Sequence, residues 1–348
     1  STGDIPIILY GELYTTYGNY IDRIFSSASE IAKKSLLIAK NDLLLPVSST
    51  TKEAQIGKAS VYRVENECYL GGDAIRLRHE QNPGFLMYVI NSTYFEKQKM
   101  RCVSGTTINP LSPSKLSKIK IPIPPLEIQN EIVQILDNFA ELTAELTAEL
   151  TVRKEQYEYY RNELLTLDES VKIVPLASIA DIGTGSSNTN EALDEGLYPF
   201  YVRSQEPRRK NDYEYDETAI ITAGDGVGVG KVFHYVEGKY ALHQRAYRIH
   251  ITSPDVLPKY YFHYMRATFF PYIEKTMYQG SVASIRRPML NAFPVPVPTM
   301  EDQLKIVDVL DNFEAICSDL TIGLPAEIEA RRQQYEYYRD KLLTFRRK

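Results

Sequence analysis

The feature that most constrains this chain is a long helical segment written twice. Ile132-Val-Gln-Ile-Leu-Asp-Asn-Phe139 returns as Ile306-Val-Asp-Val-Leu-Asp-Asn-Phe313, with six of eight residues identical. Tyr157-Glu-Tyr-Tyr-Arg-Asn-Glu-Leu-Leu-Thr166 returns as Tyr335-Glu-Tyr-Tyr-Arg-Asp-Lys-Leu-Leu-Thr344, with eight of ten identical. Each copy follows an apolar-proline entry, Ile121-Pro-Ile-Pro124 and Val295-Pro-Val-Pro298. The globular stretches before and between the copies scarcely resemble each other. Matching helices joined to unlike globular parts imply one frame that presents two different reading surfaces.

In the first copy proline opens the helix, a place where its missing N–H costs nothing. Apolar residues then fall at Ile128, Ile132, Ile135, Phe139, Leu142 and Leu146, alternating steps of four and three. That is a heptad seam, which buries one stripe against a partner helix. Leu150 breaks the rhythm because Ala140-Glu-Leu-Thr-Ala-Glu-Leu-Thr-Ala-Glu-Leu150 is a tetrapeptide tandem. A four-residue insertion is a stutter, which unwinds a coiled coil locally without ending it. The seam resumes through Arg153, Tyr157, Tyr160 and Leu164, so the pattern predicts a helix over 126–166, about 60 Å long at 1.5 Å per residue.

The second copy repeats the plan through Ile306, Leu310, Phe313, Leu320, Tyr335, Tyr338 and Leu342. Its offset from the first grows from 174 to 178, so it holds four extra residues around Gly323-Leu-Pro325. Those residues should kink or restart the helix. With one apolar face apiece, each helix is the natural partner of the other. An antiparallel pair would place the globular parts at opposite ends about an approximate twofold axis.

The globular stretches, 1–122 and 171–296, read as mixed α and β. Strand-like runs cover 5–10, 119–123, 219–222, 232–236 and 246–251, with turn signals at Gly71-Gly72 and Asn82-Pro-Gly84. A faint internal alignment survives, in which Asp4-Ile-Pro-Ile-Ile8 parallels Leu197-Tyr-Pro-Phe-Tyr201 and Gly57-Lys58 parallels Gly230-Lys231. Residues 174–196 have no counterpart in the first stretch, which suggests that about 25 upstream residues are missing there or supplied differently.

Charge separates the frame from the reading surfaces. The net charge of −5 looks wrong for a nucleic-acid binder until it is divided. Residues 127–170 carry 3 Lys/Arg against 11 Asp/Glu, residues 301–348 carry 8 against 10, and the remainder carries 29 against 24. The acid sits on the helices, and the globular parts are mildly basic, which permits DNA binding through local Lys and Arg. No apolar run approaches 20 residues and no basic-then-apolar leader is present. Cys68, Cys102 and Cys317 are scattered and lack metal-site spacing, which fits free thiols in a reducing cytoplasm.

Catalytic signatures fail one by one. Gly224-Asp-Gly-Val-Gly-Val-Gly230-Lys231 looks phosphate-cradling, yet Asp225 replaces the first Walker glycine and Val232 the Ser/Thr that would hold magnesium. It reads as a tight hairpin or loop that lets backbone approach a ligand. Asn82-Pro-Gly-Phe85 resembles the Asn-Pro-Pro-aromatic box of adenine methyltransferases, but Gly84 replaces the second proline and no cofactor glycines precede it. The histidines lie at 79, 234, 243, 250 and 263 with no metal-ligand spacing, so no metal or catalytic residue is assigned.

What remains is recognition. The candidate DNA contacts in the first stretch are Tyr10, Lys33, Lys34, Lys97, Lys99, Arg101, Thr106, Thr107, Lys115 and Lys118. In the second they are Tyr201, Arg203, Ser204, Arg208, Arg209, Lys210, Lys231, Arg245, Ser281, Arg286 and Arg287. Lys and Arg suit phosphates, while Arg, Ser and Thr can read base edges. Leu142, Leu146 and Leu150 mark the tandem as a candidate spacer.

With these features in hand, the chain resembles the specificity subunits of type I restriction-modification enzymes. The resemblance rests on Ile121-Pro-Ile-Pro-Pro-Leu-Glu-Ile-Gln129, Leu142-Thr-Ala-Glu-Leu146, Gln156-Tyr-Glu-Tyr-Tyr-Arg161 and Gly323-Leu-Pro-Ala-Glu-Ile328, and is greatest to the subfamily with Thr-Ala-Glu-Leu spacer repeats. It implies an α+β chain: two mixed α/β target recognition domains joined by two long antiparallel coiled-coil helices with pseudo-twofold symmetry. The expected boundaries are 1–122 for an N-terminally incomplete first domain, 123–170 for spacer helix one, 171–296 for the second domain and 297–348 for spacer helix two. The implied function is reading a bipartite DNA target across an unspecific gap while assembling two methylase subunits and the restriction subunits. S-adenosylmethionine, ATP and Mg would sit on those partners, and this chain would be non-catalytic. The competing reading is a coiled-coil protein-interaction scaffold without DNA specificity.

Overall fold

A computed structural model describes residues 3–48, 56–102, 111–276 and 284–345. The chain divides by packing into two compact units, one made of Ser1–Thr147 with Glu327–Lys348 and the other of Ala148–Ala326. Each unit therefore contains a globular part and pieces of both long helical segments.

In the first unit the strands are β1 (Ile5–Leu9), β2 (Tyr20–Ile21), β3 (Ser26–Ala28), β4 (Leu36–Ile38), β5 (Leu43–Pro46), β6 (Ser60–Tyr62), β7 (Cys68–Gly71) and β8 (Ala74–Leu77). They form two four-stranded sheets, β3-β1-β7-β4 and β2-β6-β5-β8. The helices are α1 (Glu12–Thr15), α2 (Pro83–Ile90), α3 (Thr93–Lys99) and α4 (Pro113–Leu116), followed by α5 (Leu126–Leu165). Strand β5 is buried on both faces. Its period of two sends Leu44 into a core with Ile8, Tyr62 and Leu70, and Leu43 and Leu45 into another with Val61 and Phe85.

Asn82-Pro-Gly84 is a helix start rather than a turn between strands. The Asn82 side chain accepts from the Phe85 N–H at 3.1 Å and Pro83 occupies the first helical turn. Gly84 is required by close approach, since a Cβ there would lie 2.9 Å from the Tyr20 hydroxyl and from Val133 of α5.

In the second unit the strands are β9 (Lys172–Pro175), β10 (Ala180–Thr184), β11 (Tyr198–Tyr201), β12 (Arg208–Lys210), β13 (Tyr215–Ala223), β14 (Phe233–Leu242), β15 (Ala246–Ile251) and β16 (Pro294–Val297). Six of them order as β10-β15-β13-β14-β11-β12, while β9 and β16 pair separately. Helix α6 (Pro258–Thr276) lays Tyr261, Met265, Phe269 and Ile273, a row of fourth residues, onto this sheet, and α7 (Arg287–Asn291) follows.

The faint sequence alignment corresponds to a shared strand plan. β1 pairs antiparallel with β3 and parallel with β7, as β11 does with β12 and β14. Gly57 and Gly230 both adopt left-handed backbone, at φ +68° and +69°. The run 119–123 joins no ladder, whereas its repeat, β16, pairs with β9 from Val295↔Val174 outward.

The helical frame is built as two equivalent joints. Helix α5 runs unbroken through the tandem, with Leu142, Leu146 and Leu150 half-buried and Glu141, Glu145 and Glu149 exposed. The second copy is interrupted: α8 (Met300–Ser318) ends and α9 (Leu324–Leu342) restarts after a turn held by the Asp319 carboxylate on the Thr321 and Ile322 N–H groups. Phe139 of α5 stacks on Tyr338 of α9 at 5.5 Å in the first unit. Phe313 of α8 stacks on Tyr160 of α5 at 5.6 Å in the second. The contacts run in opposite senses: in the first unit Ile132 shares a core with Leu342 and Leu343, which follow the Tyr338 stacked on Phe139, and in the second Arg153 and Lys154 lie beside Cys317 while Tyr160 stacks on Phe313. The helices in each unit are thus antiparallel.

The buried stripe differs from the heptad seam. Gln129, Ile132 and Leu136 are buried, whereas Ile128 and Ile135 are each 41% exposed. The reason is that α5 packs on its own globular part as well as on a helix, so its apolar residues serve two directions. Gln129 donates from Nε2 to the Pro124 carbonyl and to Gln81, both at 2.8 Å, and accepts from the Asn82 N–H at 3.0 Å. Gln303 repeats the joint, donating to the carbonyls of Asp255 (2.7 Å) and Pro298 (3.0 Å) and accepting from the Leu257 N–H at 2.8 Å. Both glutamines are fully buried. Gln303→Leu would remove the partner of three backbone groups, one buried and two partly buried, and is expected to lower the stability of the second unit by about 1–3 kcal/mol. A urea-unfolding midpoint unchanged from the parent would contradict that role.

Asp137 and Asp311 mark a second repeated contact. Asp137 accepts from the hydroxyls of Tyr20 and Tyr88 at 2.6 Å each, and Asp311 accepts from His263 Nε2 at 2.7 Å. The repeated Leu-Asp-Asn-Phe is thereby explained: its aspartate holds the globular part and its phenylalanine holds the other helix.

Candidate nucleic-acid interface

In the second unit three connections converge on one carboxylate. The β11–β12 turn brings Arg203 Nη1 to within 2.6 Å of Asp225 Oδ1, and the β14–β15 turn brings Arg245 Nη1 to within 3.1 Å of Oδ2. Burial pushes the Asp225 pKa up, but hydrogen bonding and charge from Arg203, then Arg245, outweigh it and hold the carboxyl below its ordinary value. It stays a carboxylate and keeps both guanidinium groups at the surface, where Arg203 is 40% and Arg245 62% exposed. The β13–β14 loop itself is pinned at its base, Gly224 donating to the Arg245 carbonyl at 2.9 Å and accepting from the Ile285 N–H at 2.8 Å.

The glycine-rich string is thus a loop that packs backbone against backbone. Gly226 has φ +82°, and a Cβ on Gly228 would lie 2.5 Å from the Arg203 carbonyl. Thr189, Arg203, Ser204, Arg208 and Val227 share one open concavity over it. Beside it, Gln244 Nε2 donates to the Asn188 side chain, and Lys210 is held by Ser187 and Glu191, both at 2.8 Å.

The structure sorts the sequence candidates. Arg208, Arg209, Lys231, Arg245, Arg286 and Arg287 are exposed, with Lys231 also 5.6 Å over the Phe270 ring. Ser204 is exposed and Tyr201 half-buried against His234. In the first unit Tyr10, Lys33, Lys34, Lys97, Arg101, Lys115 and Lys118 are exposed, Lys33 pairing with Glu30 at 2.7 Å. Two candidates need correction. Lys99 is 1% exposed, its stem against Gly57 and its ammonium on Glu96, so it is a core cation rather than a surface one. Lys210 is largely covered and committed to Glu191 and Asp212. Thr106, Thr107 and Ser281 lie outside the described residues.

Sequence reading missed Asp225, Gln244, Asn188 and Val227. The available signal was an aspartate inside a glycine run, which counted only as a motif violation. The cluster of His263, Asp311 and Glu314 has ligand-like spacing, but Lys259 at 3.5 Å from Asp311 and Arg266 at 2.7 Å from Glu314 already neutralise it. Cys68, Cys102 and Cys317 are buried free thiols, and no helix among the described residues is long and apolar enough to cross a membrane.

Two α+β units, each packed on pieces of two long helical segments and one bearing an exposed arginine cluster, define a helix-framed protein with a surface suited to nucleic-acid phosphates. The chain belongs to the family whose model is described as the type I restriction modification DNA specificity domain, which it matches over residues 1–153 and 168–330. It is 30% identical over 294 residues to a type I restriction enzyme specificity subunit of Haemophilus influenzae, covering 77% of this chain and 74% of that protein. It is 34% identical over 263 residues to the EcoR124I/EcoR124II specificity subunit of Escherichia coli, covering 67% of this chain and 65% of that one. Its fold matches the S subunit of a type I system from M. genitalium with a TM-score of 0.60 at 17% identity, covering 99% of this chain and 94% of that one. A specificity subunit is the non-catalytic part of a multisubunit enzyme, and the chain is a DNA-recognition subunit of that kind.

Proposed function

We propose that the chain reads a bipartite DNA target, one half-site through residues 1–122 and the other through residues 171–296, across a gap of unspecified sequence. Residues 123–170 and 297–348 act as the spacer that sets the gap. The observation that carries this reading is the pairing of duplicated helix joints with an exposed arginine cluster on a glycine-rich loop. Two methylase subunits, holding S-adenosylmethionine, use the spacer as their platform. Restriction subunits supply ATP- and Mg-dependent chemistry. Sequencing the methylome of cells that carry this gene with its partners tests the reading directly. Methylated adenines should appear in one split motif with a fixed gap, and a contiguous motif would overturn the proposal.

The exposed cations act on phosphates. Arg208→Gln is expected to weaken binding of the chain with its methylase partners about equally on specific and unrelated duplexes. It should also lower the slope of log affinity against log salt by about 1. Filter binding across a salt series checks this, and an unchanged slope would remove Arg208 from the phosphate contacts.

A further inference from the structure

The apex of the β13–β14 loop carries Val227, which is 97% exposed, an isopropyl group that contributes nothing to the fold. Gly226 and Gly228 flank it, the former in left-handed backbone and the latter against the Arg203 carbonyl, while Asp225 ties the loop to Arg203 and Arg245. Arg203, Arg208, Thr189 and Ser204 border the same concavity. An apolar tip presented among cations and hydroxyls, on a loop tied down at Gly224 and Asp225, is suited to a surface that is anionic at its edges and carries one small apolar group within.

We propose that Val227 is a specificity-determining residue that packs on the C5-methyl group of a thymine in the major groove of the half-site read by the second unit. This rests on the DNA-recognition reading above. Thymine is the base whose major-groove edge carries a methyl group, so an isopropyl contact there discriminates by shape and dehydration. Insertion between base pairs is disfavoured by size. Unstacking wedges are commonly Phe, Leu, Ile, Met or Pro, and Val227 extends only two carbons beyond its Cα with a glycine on each side. Those glycines let the backbone come close to the base edge without a clash.

The test uses the full chain with its methylase partners and the split target found by methylome sequencing. Each thymine of the half-site assigned to the second unit is replaced in turn by uracil, which removes only the methyl group. At one position uracil should weaken binding by the wild-type complex about fourfold, the size expected for one methyl group withdrawn from water. Val227→Ala should bind thymine and uracil equally at that position, and Val227→Thr should retain part of the discrimination. Because the side chain is exposed, neither variant should change the thermal unfolding midpoint. Undiminished thymine–uracil discrimination in Val227→Ala, or a half-site without thymine, would overturn the assignment while leaving the recognition reading intact. A complex that methylates no split target would remove both.

Discussion

Deleting residues 143–146 is expected to shorten the gap of the methylated target by one or two base pairs and to leave both half-sites unchanged. The deleted tetrapeptide is one unit of a tandem inside a single unbroken helix, so the remaining repeats close over the cut with the same residues in the same places. Leu150 takes the position of Leu146, and Glu149 that of Glu145, with no new contact chemistry. What changes is length and phase. Four residues of α-helix rise about 6 Å and turn about 40° beyond a full rotation. DNA rises about 3.4 Å per base pair, which makes the step one or two base pairs rather than a fraction or a full turn. Methylome sequencing of the deletion strain would show the effect as a change of spacing alone. Altered half-sites with an unaltered gap would refute the ruler.

Arg248→Met is expected to cost the second unit about 3–5 kcal/mol, the usual penalty for leaving one partner of a buried ion pair behind. Arg248 and Glu217 have side chains only 9% and 15% exposed, and their guanidinium and carboxylate meet in two parallel hydrogen bonds. Asp181 accepts from the same arginine at 2.8 Å, Tyr240 donates to Glu217 at 2.9 Å, and the Tyr215 ring lies 4.8 Å from the guanidinium. Methionine fills similar volume but supplies none of these partners.

The pH dependence of the same variant should change sign. In the parent, burial pushes the Glu217 pKa up, but hydrogen bonds from Arg248 and Tyr240 and the arginine charge bring it below its ordinary 4.5. A depressed folded-state pKa stabilises the unit fully above the unfolded value and loses that contribution as pH falls through the lower folded value. Without Arg248, burial dominates and Glu217 titrates above its unfolded value. Stability is then lost as pH rises through the raised folded value. Urea midpoints between pH 4 and 7 should therefore fall with rising pH in Arg248→Met and hold level or rise in the parent. Parallel curves would show that Glu217 is not governed by this arginine.

Much of the frame was legible because helix signals are local and were written twice. The expected helix over 126–166 ends within a residue of α5, and the restart around Gly323-Leu-Pro325 is the gap between α8 and α9. The run 246–251 is β15 to the residue. The facing of α5 was not legible, because a heptad pattern assumes one partner. Gln129 is polar by type and buried by its three hydrogen bonds, while Ile135 is apolar and largely exposed.

The candidate interface was legible by composition and not by geometry. Arg203 and Arg245 were both expected there, yet they stand 42 positions apart in sequence and Asp225 brings them together. Lys99 shows the opposite failure, because alternation in a basic stretch cannot reveal that Leu111 and Gly57 close over one of its members. Composition places charges on a segment; long-range packing decides which of them reach solvent.

The first unit is also closed by residues that lie far along the chain. Tyr335, Leu342 and Leu343 complete the core that contains Phe85, Ile132 and Leu136. The second unit draws only on residues 148–326. On the ribosome, where domains generally acquire structure as they emerge, the order of completion is reversed. The unit translated second has all its parts while the unit translated first still waits for α9. A message cut short before the codons for Tyr335–Leu343 would thus leave residues 1–147, rather than residues 148–326, without a finished core.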